Sequence, residues 1–173
     1  MNFSLKNVDD RIVSLDDFPD AQGFIIVFTC NHCPYAIAYE NRLKELHATY
    51  ADKGYPLIAI NPNDPVQYPQ DSFEQMKVRA ASKGFEFPYL FDESQEIARQ
   101  YGATRTPHAF ILQKTEDGLE VKYKGAIDDN YQSAHNVKQR YLAKQLDALI
   151  AGKAVPYKET AAIGCTIKWK QPA

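Results

Sequence analysis

The chain is poor in the features that mark several protein classes. It has three cysteines in 173 residues, too few and odd in number for a scaffold stapled by disulfides. No apolar run approaches the ~20 residues that a membrane-crossing helix needs. The longest, Phe24-Ile25-Ile26-Val27-Phe28, has the length of a strand. Met1-Asn2-Phe3-Ser4 lacks the charged and apolar segments of an export signal, from which a cytoplasmic location is expected. Neither sign of charge dominates: 20 Lys+Arg against 22 Asp+Glu leave a net charge of -2, which favours neither nucleic acid nor an anionic membrane as partner. Internal repeats and Gly/Ser linkers are absent. What remains is 45% hydrophobic and 12% aromatic, enough to fill the core of one domain spanning 1–173.

The hydrophobic pattern predicts an α/β chain. Phe3, Leu5 and Val8 with Ile12, Val13 and Leu15 flank a turn-like Asn7–Arg11, which predicts an N-terminal β-hairpin within 1–20. Phe24–Thr29 and Leu57–Ile60 read as strands buried on both faces. Between them Ala36, Tyr39, Leu43, Leu46 and Tyr50 recur at helical spacing after Pro34, which suits a first turn. Pro62, Pro65 and Pro69 exclude a regular element at 61–70, taken here as a plain connector. Asp71 with Glu74 predicts a capped helix start. Pro88–Phe91 reads as a strand and Ile97–Tyr101 as a helix closed by Gly102. Ala109–Gln113 and Leu119–Tyr123 form a hairpin about Glu116-Asp117-Gly118. A long helix is expected at about 135–151, followed by a tail, 153–173, with Cys165 and Trp169.

Chemistry concentrates at Cys30-Asn31-His32-Cys33, directly after the first buried strand and at the start of a helix. Unpaired N–H groups and the positive helix end favour thiolate at the first sulfur, and thiolate is the reactive form. A second sulfur two residues on can resolve a mixed disulfide. His32, if protonated, would lower the Cys30 pKa further. On this reading Cys30 is the accessible nucleophile and Cys33 the buried resolving thiol.

Thr106-Pro107 stands just before the strand Ala109–Gln113. Strand, CxxC, helix and a later Thr-Pro opening a hairpin resemble the thioredoxin superfamily. That resemblance implies a central mixed β-sheet flanked by helices and a cis Thr106–Pro107 bond against the CxxC. It also implies that Thr106 and Pro107 position the substrate. The opening hairpin and the inserted 61–84 segment resemble the redoxin branch. Cys33-Pro34, Gly125-Ala126-Ile127-Asp128-Asp129-Asn130 and Gly164-Cys165-Thr166-Ile167-Lys168-Trp169 resemble the peroxiredoxin-like, AhpC/TSA-related group with a CxxC motif. Three features depart from these families. Val27 stands three before Cys30, where peroxiredoxins carry a peroxide-orienting Thr, and Arg105 does not fall cleanly where their Arg is expected. The strand Phe24–Thr29 also holds no acid to take the Cys33 proton.

These features imply a thiol–disulfide oxidoreductase whose only redox group is the Cys30–Cys33 pair, with no bound cofactor. Its expected partners are a disulfide-containing protein or small thiol, and a reductant such as the thioredoxin or glutathione system. A peroxiredoxin-like thiol peroxidase with antioxidant activity is the near alternative. A Cu(I)- or Zn(II)-binding site on the two thiolates with His32 or His108 belongs to another class. Cys165 is either a buried small hydrophobe or a third thiol that folds back on the pair. His108 reads as a satisfied polar residue entering a strand.

Overall fold

The computed structural model describes residues 2–172; the outermost residues of the expected domain, Met1 and Ala173, lie outside it. Among the described residues, nine strands and four α-helices follow one another. The strands are β1 Ser4–Asn7, β2 Ile12–Ser14, β3 Gly23–Phe28, β4 Leu57–Asn61, β5 Tyr89–Phe91, β6 Arg105–Thr106, β7 His108–Thr115, β8 Gly118–Gly125 and β9 Cys165–Thr166. The helices are α1 Pro34–Tyr50, α2 Phe73–Lys83, α3 Glu96–Tyr101 and α4 Tyr141–Ile150. Seven strands make one mixed sheet in the order β2-β1-β5-β4-β3-β7-β8, and β6 pairs with β9 in a small second ribbon.

β3 lies inside this sheet, parallel to β4 and antiparallel to β7, and every residue in it is buried. Alternate side chains serve opposite faces, as pleating demands. Ile25 and Val27 join Tyr39 and Leu43 of α1, Met76 of α2 and Leu142 and Leu146 of α4. Phe24, Ile26 and Phe28 join Leu15 of the N-terminal segment, Ala98 and Tyr101 of α3, and Ile167 of the tail. The tail is thus part of a core.

The expected hairpins, strands and central mixed sheet are all present, and two helix starts differ. α2 is capped by the Ser72 hydroxyl, which accepts the Gln75 N–H. Asp71 is fully buried and faces the other way. α4 begins at Tyr141 because the carboxylate of Asp129 takes the Lys138 N–H and the Asp129 N–H donates to the Gln139 carbonyl, holding that stretch against 129. The Asp128 carboxylate accepts from Tyr39 Oη at 2.6 Å and from Arg42 Nη1 at 2.8 Å, and Arg42 also donates to the carbonyls of Asn130 and Tyr131. The Ile-Asp-Asp-Asn motif therefore clamps α1, the helix that opens at Cys33.

Candidate active site

β3 ends at Phe28, Thr29 and Cys30 follow, and Cys33 is the N-cap of α1 with Pro34 in the first turn. Both cysteines are buried, Cys30 at 2% exposure and Cys33 at 0%. The Thr106–Pro107 bond is cis, and Thr106 touches both sulfurs. Its hydroxyl lies 3.5 Å from Cys30 Sγ, and its carbonyl lies 3.5 Å from Cys33 Sγ.

The disulfide is not within the CxxC. Cys33 is bonded to Cys165, 132 residues on, with Cα atoms 6.4 Å apart, and Cys30 is the free thiol. Cys165 reaches Cys33 because β9 runs antiparallel to β6, with Cys165 opposite Thr106 and Thr166 opposite Arg105. A Cβ on Gly164 would collide with the Thr106 carbonyl, so glycine permits this approach. Beyond it, Ile167 is buried, Lys168 N–H donates to Asn63 Oδ1, and the Lys168 carbonyl accepts from Asp64 N and Gln95 Nε2. The Arg99 guanidinium lies over the Trp169 ring at 4.8 Å. Cys165 thus joins Cys30 and Cys33 in one packed cluster with Ala36 and Tyr35.

Cys33 is buried as expected, but the expected properties of Cys30 need correction. Cys30 is neither exposed nor acidic. Burial pushes its thiol up, and the nearby Asp71 charge pushes it further. The Thr106 hydroxyl and the N–H groups of Cys33 and His32 act the other way, as the helix-start reading anticipates, but do not prevail. His32 does not confront Cys30 with an unbalanced positive charge. Its Nδ1 lies 2.5 Å from Asp71 Oδ2, and its ring stacks on Tyr68.

Asp71 is the residue that sequence reasoning missed. Its Oδ1 accepts the Asn31 N–H at 2.8 Å, and its Oδ2 also accepts from Asn63 Nδ2 at 2.9 Å. Asn31 in turn accepts from Tyr89 Oη. The acid absent from β3 is supplied by the 61–71 segment, which is therefore no plain connector: Asn61, Asn63 and Asp64 are buried and tie it to the site and the tail. The signal available in the sequence was three polar residues, Asn61, Asn63 and Asp64, directly after a buried strand.

His108 is separate from this chemistry. Its Nδ1 accepts the Thr104 N–H, it stacks on Phe110, and burial lowers its pKa to about 4. It is the satisfied polar residue expected. Arg105 is exposed, and Arg79 is held by both oxygens of Glu40. One ligand atom each from Cys30, His32 and Asp71 lie within 4.8 Å of one another, the group among the described residues that could approach a metal ion. A 260 Å³ depression lined by Asn31, His32, Gln70 and Arg79 opens to solvent beside it.

The chain resembles an uncharacterized conserved protein from Geobacillus kaustophilus, with 40% identity, a TM-score of 0.90, and coverage of 100% of this chain and 91% of that one. It matches the thiol-disulfide oxidoreductase ResA of Halalkalibacterium halodurans at 21% identity over 74% of this chain and 68% of that one. The match to ResA proteins spans about two thirds of their own length. A putative thiol:disulfide interchange protein DsbE from Chlorobium tepidum shares the thioredoxin fold, with 22% identity, a TM-score of 0.57, and coverage of 72% of this chain and 79% of that one. The AhpC/TSA family matches residues 1–164. With its site at the end of β3, its Thr-Pro beside the cysteines and this match over nearly its whole length, the chain belongs to the AhpC/TSA family.

Proposed function

We propose that the protein is a thiol–disulfide oxidoreductase in which Cys33 exchanges with the outside partner and Cys30 resolves. The observation that carries this reading is the disulfide between Cys33, at the helix start, and a cysteine on an extended strand paired with Thr106. The order of roles is the reverse of the one expected from the sequence, because burial and Asp71 hold Cys30 in its protonated form. In the reduced enzyme the Cys33 thiolate attacks a substrate disulfide, and the leaving thiolate takes up a proton. Cys30 then gives its proton to a base, for which Asp71 with His32 is placed, and attacks Cys33 Sγ. This forms Cys30–Cys33 and releases the substrate reduced by two electrons. The fold needs no bound cofactor for these steps. Substrates are disulfide-containing proteins or small disulfides, and the thioredoxin or glutathione system returns the enzyme to its dithiol. The cytoplasm is the working compartment in this reading.

Insulin reduction with dithiothreitol as donor tests it. Cys33→Ser should abolish activity, and Cys30→Ser combined with Cys165→Ser, which leaves no second thiol to resolve, should accumulate a mixed disulfide on Cys33 that can be isolated from extract. Full activity of Cys33→Ser would defeat the assignment. Peroxidase chemistry is favoured by one observation: Cys33–Cys165 is the product expected when a sulfenate on Cys33 condenses with a tail thiol. Hydrogen peroxide consumption exceeding insulin reduction would make that the better reading. Stoichiometric zinc or copper in freshly purified reduced protein, lost in Asp71→Asn, would point instead to metal binding at Cys30, His32 and Asp71.

A further inference from the structure

The docked tail covers the chemistry that the proposed function requires. Cys30, Cys33 and Thr106 are all buried, and the edge of β6 is occupied by the chain's own β9. Seven consecutive residues, Gly164–Lys170, press on this region through Thr106, Thr104, Asn63, Asp64, Gln67 and Gln95. An external disulfide cannot meet Cys33 until they move.

We propose that the Cys33–Cys165 disulfide is a latch, and that Cys30 opens it by moving the bond onto Cys33 and itself. The step needs no outside oxidant or reductant. The Cys30 S–H bond breaks and its proton passes to the Asp71–His32 pair. The Cys30–Cys33 bond forms as Cys33–Cys165 breaks, and Cys165 leaves as a thiolate that is then protonated. One disulfide and one thiol stand on each side. The released strand loses its covalent tie to Cys33 and is held against Thr106 by strand pairing alone, so the β6 edge and the Cys30–Cys33 bond become open to a partner.

Three observations support a latch over an inert structural bond. The free thiol is packed in the same cluster as the disulfide, and one residue, Thr106, contacts both Cys30 and Cys33. The carboxylate placed to receive the proton is joined to the tail through one side chain: Asn63 donates to Asp71 and accepts from Lys168 N–H. Undocking the tail therefore alters the hydrogen bonding of Asp71. Finally, Gly164 is seated where any side chain would strike Thr106, so tail docking is tuned by a contact independent of the thiols.

The idea rests on the oxidoreductase reading only for its purpose; its chemistry is tested alone. Protein carrying one disulfide is incubated at pH 6 to 9, quenched in acid, alkylated and peptide-mapped. Wild type should interconvert Cys33–Cys165 and Cys30–Cys33, faster as pH rises, and Cys30→Ser should hold only Cys33–Cys165. Gly164→Ala, which keeps every thiol, should shift the ratio at least several-fold toward Cys30–Cys33. Trypsin should cut after Lys168 several-fold faster in Cys165→Ser oxidised at Cys30–Cys33 than in Cys30→Ser. Wild type locked as Cys33–Cys165 at every pH, or equal cleavage rates in these two forms, would overturn the latch. Insulin reduction by wild type reads the other proposal separately. Isomerisation without insulin reduction defeats the oxidoreductase reading alone, and insulin reduction without isomerisation defeats the latch alone.

Discussion

Cys30 shows how a site can contain the residues a motif calls for and still invert their roles. The same backbone N–H groups that favour thiolate are present, but a fully buried sulfur beside a carboxylate pays more in desolvation and repulsion than two N–H groups return. Asp71→Asn keeps the shape of the side chain and removes the charge. In a Cys33→Ser, Cys165→Ser background, where Cys30 is the sole thiol, its midpoint read by absorbance near 240 nm should fall. An unchanged or higher midpoint would show that Asp71 does not act on Cys30. His108 offers a second residue-level test. Its folded pKa of about 4 lies below the unfolded value of 6.5, so the folded state favours the neutral ring. Its stabilisation is complete above pH 6.5 and is lost as pH falls toward 4, by up to about 3 kcal/mol. His108→Asn retains an acceptor for Thr104 N–H and cannot titrate in this range. Urea unfolding of wild type should weaken relative to this variant between pH 6.5 and 4, and parallel pH profiles would refute the assignment.

At the scale of elements, the tail is the part whose position decides the site. Strand β9 is two residues long and would not persist alone. It is held by the Cys33–Cys165 bond, by burial of Ile167, by the Asp64 N–H donating to the Lys168 carbonyl and by the Gln95 side-chain amide donating to that same carbonyl. Ile167→Ala removes most of a buried side chain and should cost about 2–5 kcal/mol if the tail stays docked. If the tail instead detaches, the loss is smaller and Cys30 becomes open to alkylation. Unfolding midpoints and iodoacetamide labelling of the same sample separate the two. No change in either would show that Ile167 does not anchor the tail. The hairpins and buried strands were readable because their hydrophobic periods are strong. α4 starts later than the sequence predicts because Asp129, on the loop just before it, holds 138–139 out of the helix.

Across the whole molecule, Cys33–Cys165 closes a loop of most of the chain. Cross-linking residues 132 apart restricts the unfolded ensemble by about 4–5 kcal/mol in the chain-entropy account. Reduction should therefore lower stability by up to that amount, measured by urea unfolding with and without dithiothreitol. Cys165→Ser should be indifferent to the reductant on this measure unless Cys30–Cys33 forms. That short loop would restore less, because the entropy removed grows with loop length. Equal stability of oxidised and reduced wild type would mean that the bond stores no constraint.

The sequence alone determined the α/β layering and the placing of a dithiol motif between a buried strand and a helix, and resemblance added the mixed central sheet. The first two depend on local periodicity, on Pro34 and on residues close together in the chain. It could place Thr106-Pro107 by resemblance and raise Cys165 as a third thiol without choosing between its two fates. The tertiary structure decided which sulfurs are bonded, since that depends on β9 lying on β6. It also supplied the acid at the site, because Asp71 arrives from a loop forty residues beyond Asn31 in sequence. Contacts of this kind are set by packing across the sheet and leave no period or spacing in the chain from which to read them.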